Sequence, residues 1–135
     1  MSEVIETNGA RIPLIGLGTW DLRGKSCAAM VEQALGLGYR HIDTAAMYRN
    51  EEAVGEGLRA SGLPRDDIFI TTKVWSSDLR ARDFERSARE SLDNPKLDRV
   101  DLPLILLPNS RVPLEETIGT PCKINSAAVA RPPRL

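Results

Sequence analysis

The stretch GYRHIDTAAMY, Gly38 to Tyr48, decides how the chain is read. Its middle, Arg40-His41-Ile42-Asp43-Thr44, sets a β-branched residue among polar ones and is entered from a glycine-containing segment. That pattern reads as a short strand ending in a carboxylate. Asp43 stands where the strand finishes, and Tyr48 follows before a helical run that starts near Asn50. A second stretch, IFITTKVW from Ile68 to Trp75, repeats the arrangement with an apolar strand that ends in Lys73. Parallel strands joined by helices put their carboxyl ends on one face, so Asp43, Tyr48 and Lys73 are expected to converge there. The three outline a proton-donating site. A phenol ordinarily keeps its proton until about pH 10, a neighbouring ammonium stabilises the phenolate, and the carboxylate holds the ammonium in place.

Outward from this centre, strand and helix alternate, which places the chain in the α/β class with about four parallel strands. Val4 to Ile12 reads as a β-hairpin turning at Asn8-Gly9, a pair that accepts positive φ. Leu14 to Leu17 is expected to be the first sheet strand, with Gly18-Thr19-Trp20 leaving its carboxyl end. Ser26 to Leu35 has helical spacing, with Ala29, Met30, Gln33, Ala34 and Leu37 as its buried stripe and Gly36 and Gly38 at its end. A helix from about Asn50 to Ala60 turns Val54 and Leu58 to the sheet and stops at Gly62 and Pro64. The strand Ile68 to Val74 is followed by a helix from Ala81 to Leu92. Phe84, Ala88 and Leu92 form its inner stripe, and Arg82, Arg86, Arg89, Glu85 and Glu90 its solvated face. A fourth strand is expected from Val100 to Leu107.

Composition narrows the function classes. With 41% hydrophobic and 27% charged residues and a net charge of -1, the chain lacks the basic excess of a nucleic-acid binder. The start, MSEVIETNGA, has neither a basic segment nor a long apolar run, and no stretch approaches the roughly 20 apolar residues of a membrane span. A cytoplasmic protein is the expectation. Cys27 and Cys122 offer neither metal-ligand spacing nor a disulfide framework and read as reduced thiols, so no metal is expected.

Four motifs occur in a fixed order: GLGTW at Gly16 to Trp20, GYRHIDTAAMYRNEEAVGEGLRASG from Gly38, FITTKVW from Phe69 and DRVDLPLILLPN from Asp98. Together they resemble the aldo-keto reductase family, in particular its bacterial 2,5-diketo-gluconate reductase-like members, over roughly Asn8 to Gly119. The resemblance implies the N-terminal half of a TIM (β/α)8 barrel whose bottom is plugged by the hairpin. It also implies hydride transfer from NADPH to a small aldehyde or ketone. It makes Tyr48 the proton donor, Lys73 its activating cation, and Asp43 both the partner of Lys73 and a contact to the nicotinamide ribose. Thr19 and Trp20 become cofactor-side residues, and Trp20, Tyr48 and Trp75 substrate-side residues. The resemblance also carries a histidine at the place of His41 as part of the strand, which favours packing or hydrogen bonding over general-base work.

The pattern breaks at the fourth strand. Aligning on Asp101 and Pro108 puts Leu106 where the family has a catalytic histidine and Leu107 where it has tryptophan. Leucine donates no hydrogen bond, and losing a positioned acid–base partner commonly costs about 10²–10⁴ in rate. Pro103 would withdraw an N–H from a central strand. A full barrel runs to about 250 residues. The expectation is therefore a partial barrel over residues 1–119, followed by a disordered, non-family tail over 120–135 that lacks apolar periodicity. As a truncated reductase it should have little or no activity. Two open sheet edges would favour self-association, so the alternative is a non-enzymatic half-barrel association module or an unstable fragment.

Overall fold

The computed structural model describes residues 3–7, 9–75, 80–93, 99–107 and 111–113. A hairpin of β1 (Val4–Thr7) and β2 (Ala10–Pro13) opens the chain, with Thr7 opposite Ala10 and Val4 opposite Pro13. Gly9 takes φ +79°, the left-handed backbone a tight hairpin turn needs. A parallel sheet follows: β3 (Leu17–Gly18), β4 (His41–Asp43), β5 (Phe69–Val74) and β6 (Leu102–Ile105), in that spatial order. Between successive strands run α1 (Gly24–Gly36), α2 (Glu51–Ala60) and α3 (Ala81–Asp93). Four strands in chain order, each joined to the next by a helix, with a hairpin before them, make half of a (β/α)8 barrel.

Three expectations are corrected. The first sheet strand is not Leu14 to Leu17. The Leu14 N–H donates to the Glu3 carbonyl at 2.9 Å, extending the hairpin, and Leu14 and Ile15 are exposed. Their apolarity belongs to a connector, and only Leu17–Gly18 pairs with β4. The buried stripe of α1 is Cys27, Val31, Ala34 and Leu35, while Met30 and Leu37 face solvent. Two apolar stripes at helical spacing compete in this segment, and the one through Cys27 and Val31 meets α2. Pro103, paired with Thr72, does not interrupt a central strand, because β6 is the last strand of the described sheet, and an edge tolerates proline.

The core lies between the sheet and its helices. Ile42, Ile70 and Val74 cluster with Val31 and Leu35 of α1, Val54 and Leu58 of α2, Leu92 of α3 and Val100. Strand alternation turns Thr71 and Lys73 to the opposite face. Burial pushes the Cys27 thiol up from its ordinary value, so it stays protonated and unreactive near neutrality. The start of β6 is tied to β5 by Asp101. One of its carboxylate oxygens accepts from Arg65 at 2.7 Å and from the Ile70 N–H at 2.8 Å. The side chains of Phe84 and Ala88, and residues 120–135, lie outside the described residues. No helix among the described residues is long and apolar enough to cross a membrane.

Helix α2 lies against α1 at Gly57. A Cβ there would lie 2.4 Å from the Ala28 carbonyl oxygen and 2.7 Å from Val31 Cβ. At Gly36, by contrast, a Cβ would meet nothing within 4 Å. Gly57→Ala is therefore expected to destabilise by about 1–3 kcal/mol through overpacking. Gly36→Ala should be neutral or stabilising by up to about 1 kcal/mol through helix propensity. Urea unfolding midpoints of the two variants check both signs.

Candidate functional site

The carboxyl ends of β3, β4 and β5 meet around one lysine. Asp43 ends β4 opposite Thr71 of β5, and Lys73 stands two residues beyond Thr71 on the same face. Its Nζ donates to Asp43 Oδ2 at 2.6 Å and to the Thr44 carbonyl at 3.3 Å, and it reaches Tyr48 Oη at 3.5 Å. Three oxygens thus face the three N–H groups of the ammonium, the phenol at the outer limit of hydrogen bonding. The lysine side chain is 13% exposed and that of Asp43 34%. One side of the carboxylate is held by the ammonium while water or a ligand can still reach the group.

Tyr48 is carried by a single 3-10 turn, Ala46–Tyr48, closed by Arg49 in the left-handed region at φ +53°. The Trp20 ring meets it edge-on, with centroids 5.3 Å apart and an interplanar angle of 67°. Trp20 itself is 65% exposed. Thr19, by contrast, is fully buried, and its N–H and its hydroxyl both donate to the Asp43 carbonyl, at 3.0 and 3.1 Å. It holds the ends of β3 and β4 together and shows no side-chain surface to a ligand. Trp75 is half-buried just past the end of β5, and the described ring contacts of the site do not include it. Leu106 donates its N–H to the Val74 carbonyl at 3.1 Å, which brings a side chain without a polar atom to the same end of the sheet. Tyr48, Lys73, Asp43 and Trp20 are brought together; Thr19 lies behind them and Trp75 to one side.

His41, on the same face as Asp43, is engaged elsewhere. Its Nε2 is 2.9 Å from Thr71 Oγ1, its Nδ1 is 3.4 Å from the Pro13 carbonyl, and Phe69 packs on it edge-on. A Cβ at Gly16 would stand 3.0 Å from the ring, so any larger residue there would crowd the imidazole. Sequence reasoning missed the polar layer beneath the site. Asn50 and Glu51 are each only 4% exposed, and they bond to Thr44 and Thr72 respectively. Only their position just before and at the start of a helix marked them, and that position usually signals a cap or a dipole contact. Chemically, the arrangement sets a phenol hydroxyl at the edge of hydrogen-bonding distance from an ammonium that is itself held by a carboxylate.

The family model described as the aldo/keto reductase family matches residues 14–123. Among curated proteins, the chain is similar to methylglyoxal reductase DkgB of Yersinia pestis, at 43% identity over 122 residues that cover 89% of this chain and 46% of that protein. It is also similar to aldehyde reductase YPR1 of Saccharomyces cerevisiae, at 48% identity over 107 residues, 79% of this chain and 33% of that protein. The chain therefore spans less than half the length of these relatives. Among solved structures it superposes on an aldo/keto reductase from Brucella melitensis with a TM-score of 0.88 at 37% identity, covering 96% of this chain and 52% of that one. An aldo-keto reductase of Bombyx mori in complex with NADP gives a TM-score of 0.83 at 31% identity, covering 93% and 47%.

The unequal exposure of the ion pair makes its two halves unequal in cost. Asp43→Ala strands an ammonium that water scarcely reaches and is expected to lose about 2–3 kcal/mol, somewhat below the range of a fully buried broken pair. Lys73→Met leaves a carboxylate that water can still solvate and should lose only about 1 kcal/mol. Urea denaturation of the two variants, compared at one pH, tests the order.

Proposed function

The chain belongs to the aldo/keto reductase family, and from that premise we propose that it carries the proton-donating part of a site that reduces small aldehydes or ketones to alcohols with NADPH. The observation that carries this reading is Lys73 Nζ standing 2.6 Å from Asp43 Oδ2 and 3.5 Å from Tyr48 Oη. Tyr48 hydrogen-bonds the carbonyl oxygen and passes it a proton as the alkoxide forms. Lys73 balances the phenolate, and Asp43 keeps the ammonium oriented. NADPH, when bound, supplies the hydride. The exposed Trp20 ring and the part-exposed Asp43 carboxylate fit the nicotinamide-ribose end of such a cofactor. Thr19 contributes by fixing the strand ends that carry them. Trp20 and Tyr48 flank the place for a small carbonyl compound, with Trp75 to one side, in keeping with the methylglyoxal and aldehyde reductases it is similar to. A cytoplasmic location is part of the same reading.

Leu106 limits the rate. It stands where the family places an imidazole, and without a donor there Tyr48 alone must orient the carbonyl. The chain by itself is therefore a very slow reductase or none. The test is oxidation of NADPH by the purified chain with methylglyoxal as probe. Leu106→His is expected to raise turnover by about 10² or more, and Tyr48→Phe to abolish it in both backgrounds. Activity that survives Tyr48→Phe, or no turnover even with Leu106→His, overturns the reading.

A second reading, that the chain acts as a half-barrel association module, is favoured by the sheet itself. Among the described residues β3 and β6 each have one neighbour, and Leu104 and Leu107 on or beside β6 are 39% and 52% exposed. Light-scattering mass across a range of concentration is expected to rise toward that of a dimer. A mass that stays monomeric throughout removes this reading.

A further inference from the structure

Two non-glycine residues among those described have positive φ, Asp21 at +63° and Arg49 at +53°. One follows Trp20 and the other follows Tyr48, the two rings that meet edge-on. Strained backbone of this kind persists only where the surroundings over-determine it. Asn50 follows Arg49 directly, and its side chain bonds to both ends of the turn that holds Asp21.

Asparagine just before a helix normally accepts a bond from its own helix's first turn. Asn50 occupies that position before α2 and makes no such bond. Its amide reaches across to other segments. Nδ2 donates to the Thr19 carbonyl at 2.7 Å and to the Leu22 carbonyl at 2.9 Å, and Oδ1 accepts from Thr44 Oγ1 at 3.2 Å. Thr19 and Leu22 are the two ends of one tight turn, closed by the Leu22 N–H donating to the Thr19 carbonyl at 3.2 Å. Trp20 and Asp21 are its two central residues. Both amide protons are thus spent on carbonyls at the two ends of the Trp20 turn. The amide oxygen is fixed by the residue after Asp43, and Asn50 stands two residues after Tyr48 in the chain.

We infer that Asn50 is a positioning residue: its amide straps the turn carrying Trp20 to the turn carrying Tyr48 and so sets the aromatic wall beside the phenol. Its role in catalysis rests on the carbonyl-reductase reading; its role in ordering Trp20 does not. No other side-chain type of this size offers two donors and an acceptor in one plane. Aspartate has the same shape but turns both donors into acceptors facing two carbonyls.

The experiment uses the full chain with Trp75→Phe, which leaves Trp20 as the sole indole, and reads Trp20 by time-resolved fluorescence anisotropy. Measurements are made well below the unfolding transition, with folding verified by far-ultraviolet circular dichroism. Asn50→Asp is expected to raise the amplitude of sub-nanosecond to nanosecond Trp20 motion about twofold. A merely structural loss would lower the unfolding temperature and leave the native-state amplitude as it was, and that result overturns the inference. Where Asn50→Asp does not fold, Asn50→Ser decides, since its single hydroxyl can hold only one of the two carbonyls. Intermediate motion supports the strap and unchanged motion overturns it. Turnover of methylglyoxal with NADPH, measured in parallel in the Leu106→His background with Trp75 intact, should fall in kcat more than it rises in KM. Absence of turnover in every variant counts against the reductase reading alone, because the anisotropy result stands without it.

Discussion

The register between β4 and β5 is the constraint on which core and site both depend. Asp43 lies opposite Thr71, and Ile42 opposite Ile70. With side chains alternating at each step, that pairing sends Ile42, Ile70 and Val74 into the layer against the helices. The same pairing leaves Asp43, Thr71 and Lys73 on the other face, with Lys73 about 6–7 Å past the level of Asp43 at some 3.3 Å per residue. The four-carbon stem of lysine spans that offset, which is why a 2.6 Å contact forms between residues that are not paired. A slip of one residue would drive the ammonium into the apolar layer and expose Val74. Burial of the isoleucines therefore fixes the geometry of the ion pair, and no contact within the site has to enforce it.

How much of this was legible in the sequence follows from where each signal came from. The strands bearing Asp43 and Lys73 were readable because their ends are marked by a charged residue in an otherwise apolar or β-branched setting, and the parallel topology did the rest. The Val54 and Leu58 face of α2 was readable because one apolar stripe dominates. In α1 two stripes compete, and the choice between Met30 with Leu37 and Cys27 with Val31 depends on where α2 lies, a tertiary fact. Leu14 and Ile15 look like strand residues and are not, because a two-residue strand such as β3 is set by its neighbour rather than by its own propensity. The resemblance puts Thr19 on the ligand side; in the structure it is buried, and its hydroxyl donates to the Asp43 carbonyl.

The least legible part is the polar layer under the site. Asn50 and Glu51 sit at the start of α2, where sequence reasoning assigns capping and dipole roles to such residues. In the structure they work outward from the helix. Asn50 bonds toward the turn of Trp20, and Glu51 accepts from Thr72 Oγ1 at 3.0 Å, on the strand that carries Lys73. Buried polar groups are tolerated only when satisfied, so these two bonds oblige the start of α2 to sit against both β3 and β5. Tyr48, two residues upstream of Asn50, inherits its place from that obligation. Local sequence could show that a helix begins here; it could not show that the helix start is a junction.

Among the described residues, Asp43, Thr44 and Tyr48 supply the contacts to the Lys73 ammonium, and Thr19 and Asn50 bond to the backbone or side chains beside them. Leu106 joins this assembly through one backbone bond to the Val74 carbonyl. A backbone bond does not depend on which side chain occupies the position, so leucine there leaves the Asp43–Lys73–Tyr48 geometry undisturbed. In the proposed reading, what it changes is the set of hydrogen-bond donors, since leucine offers none. On that reading a carbonyl oxygen beside Tyr48 would have one hydrogen-bond partner in place of two, and the developing negative charge on it would be stabilised from one side only. Geometry of the donor and stabilisation of the acceptor are therefore separable in this chain. The first is set by sheet register and the buried helix start; the second, in the proposed reading, falls to the side chain at position 106.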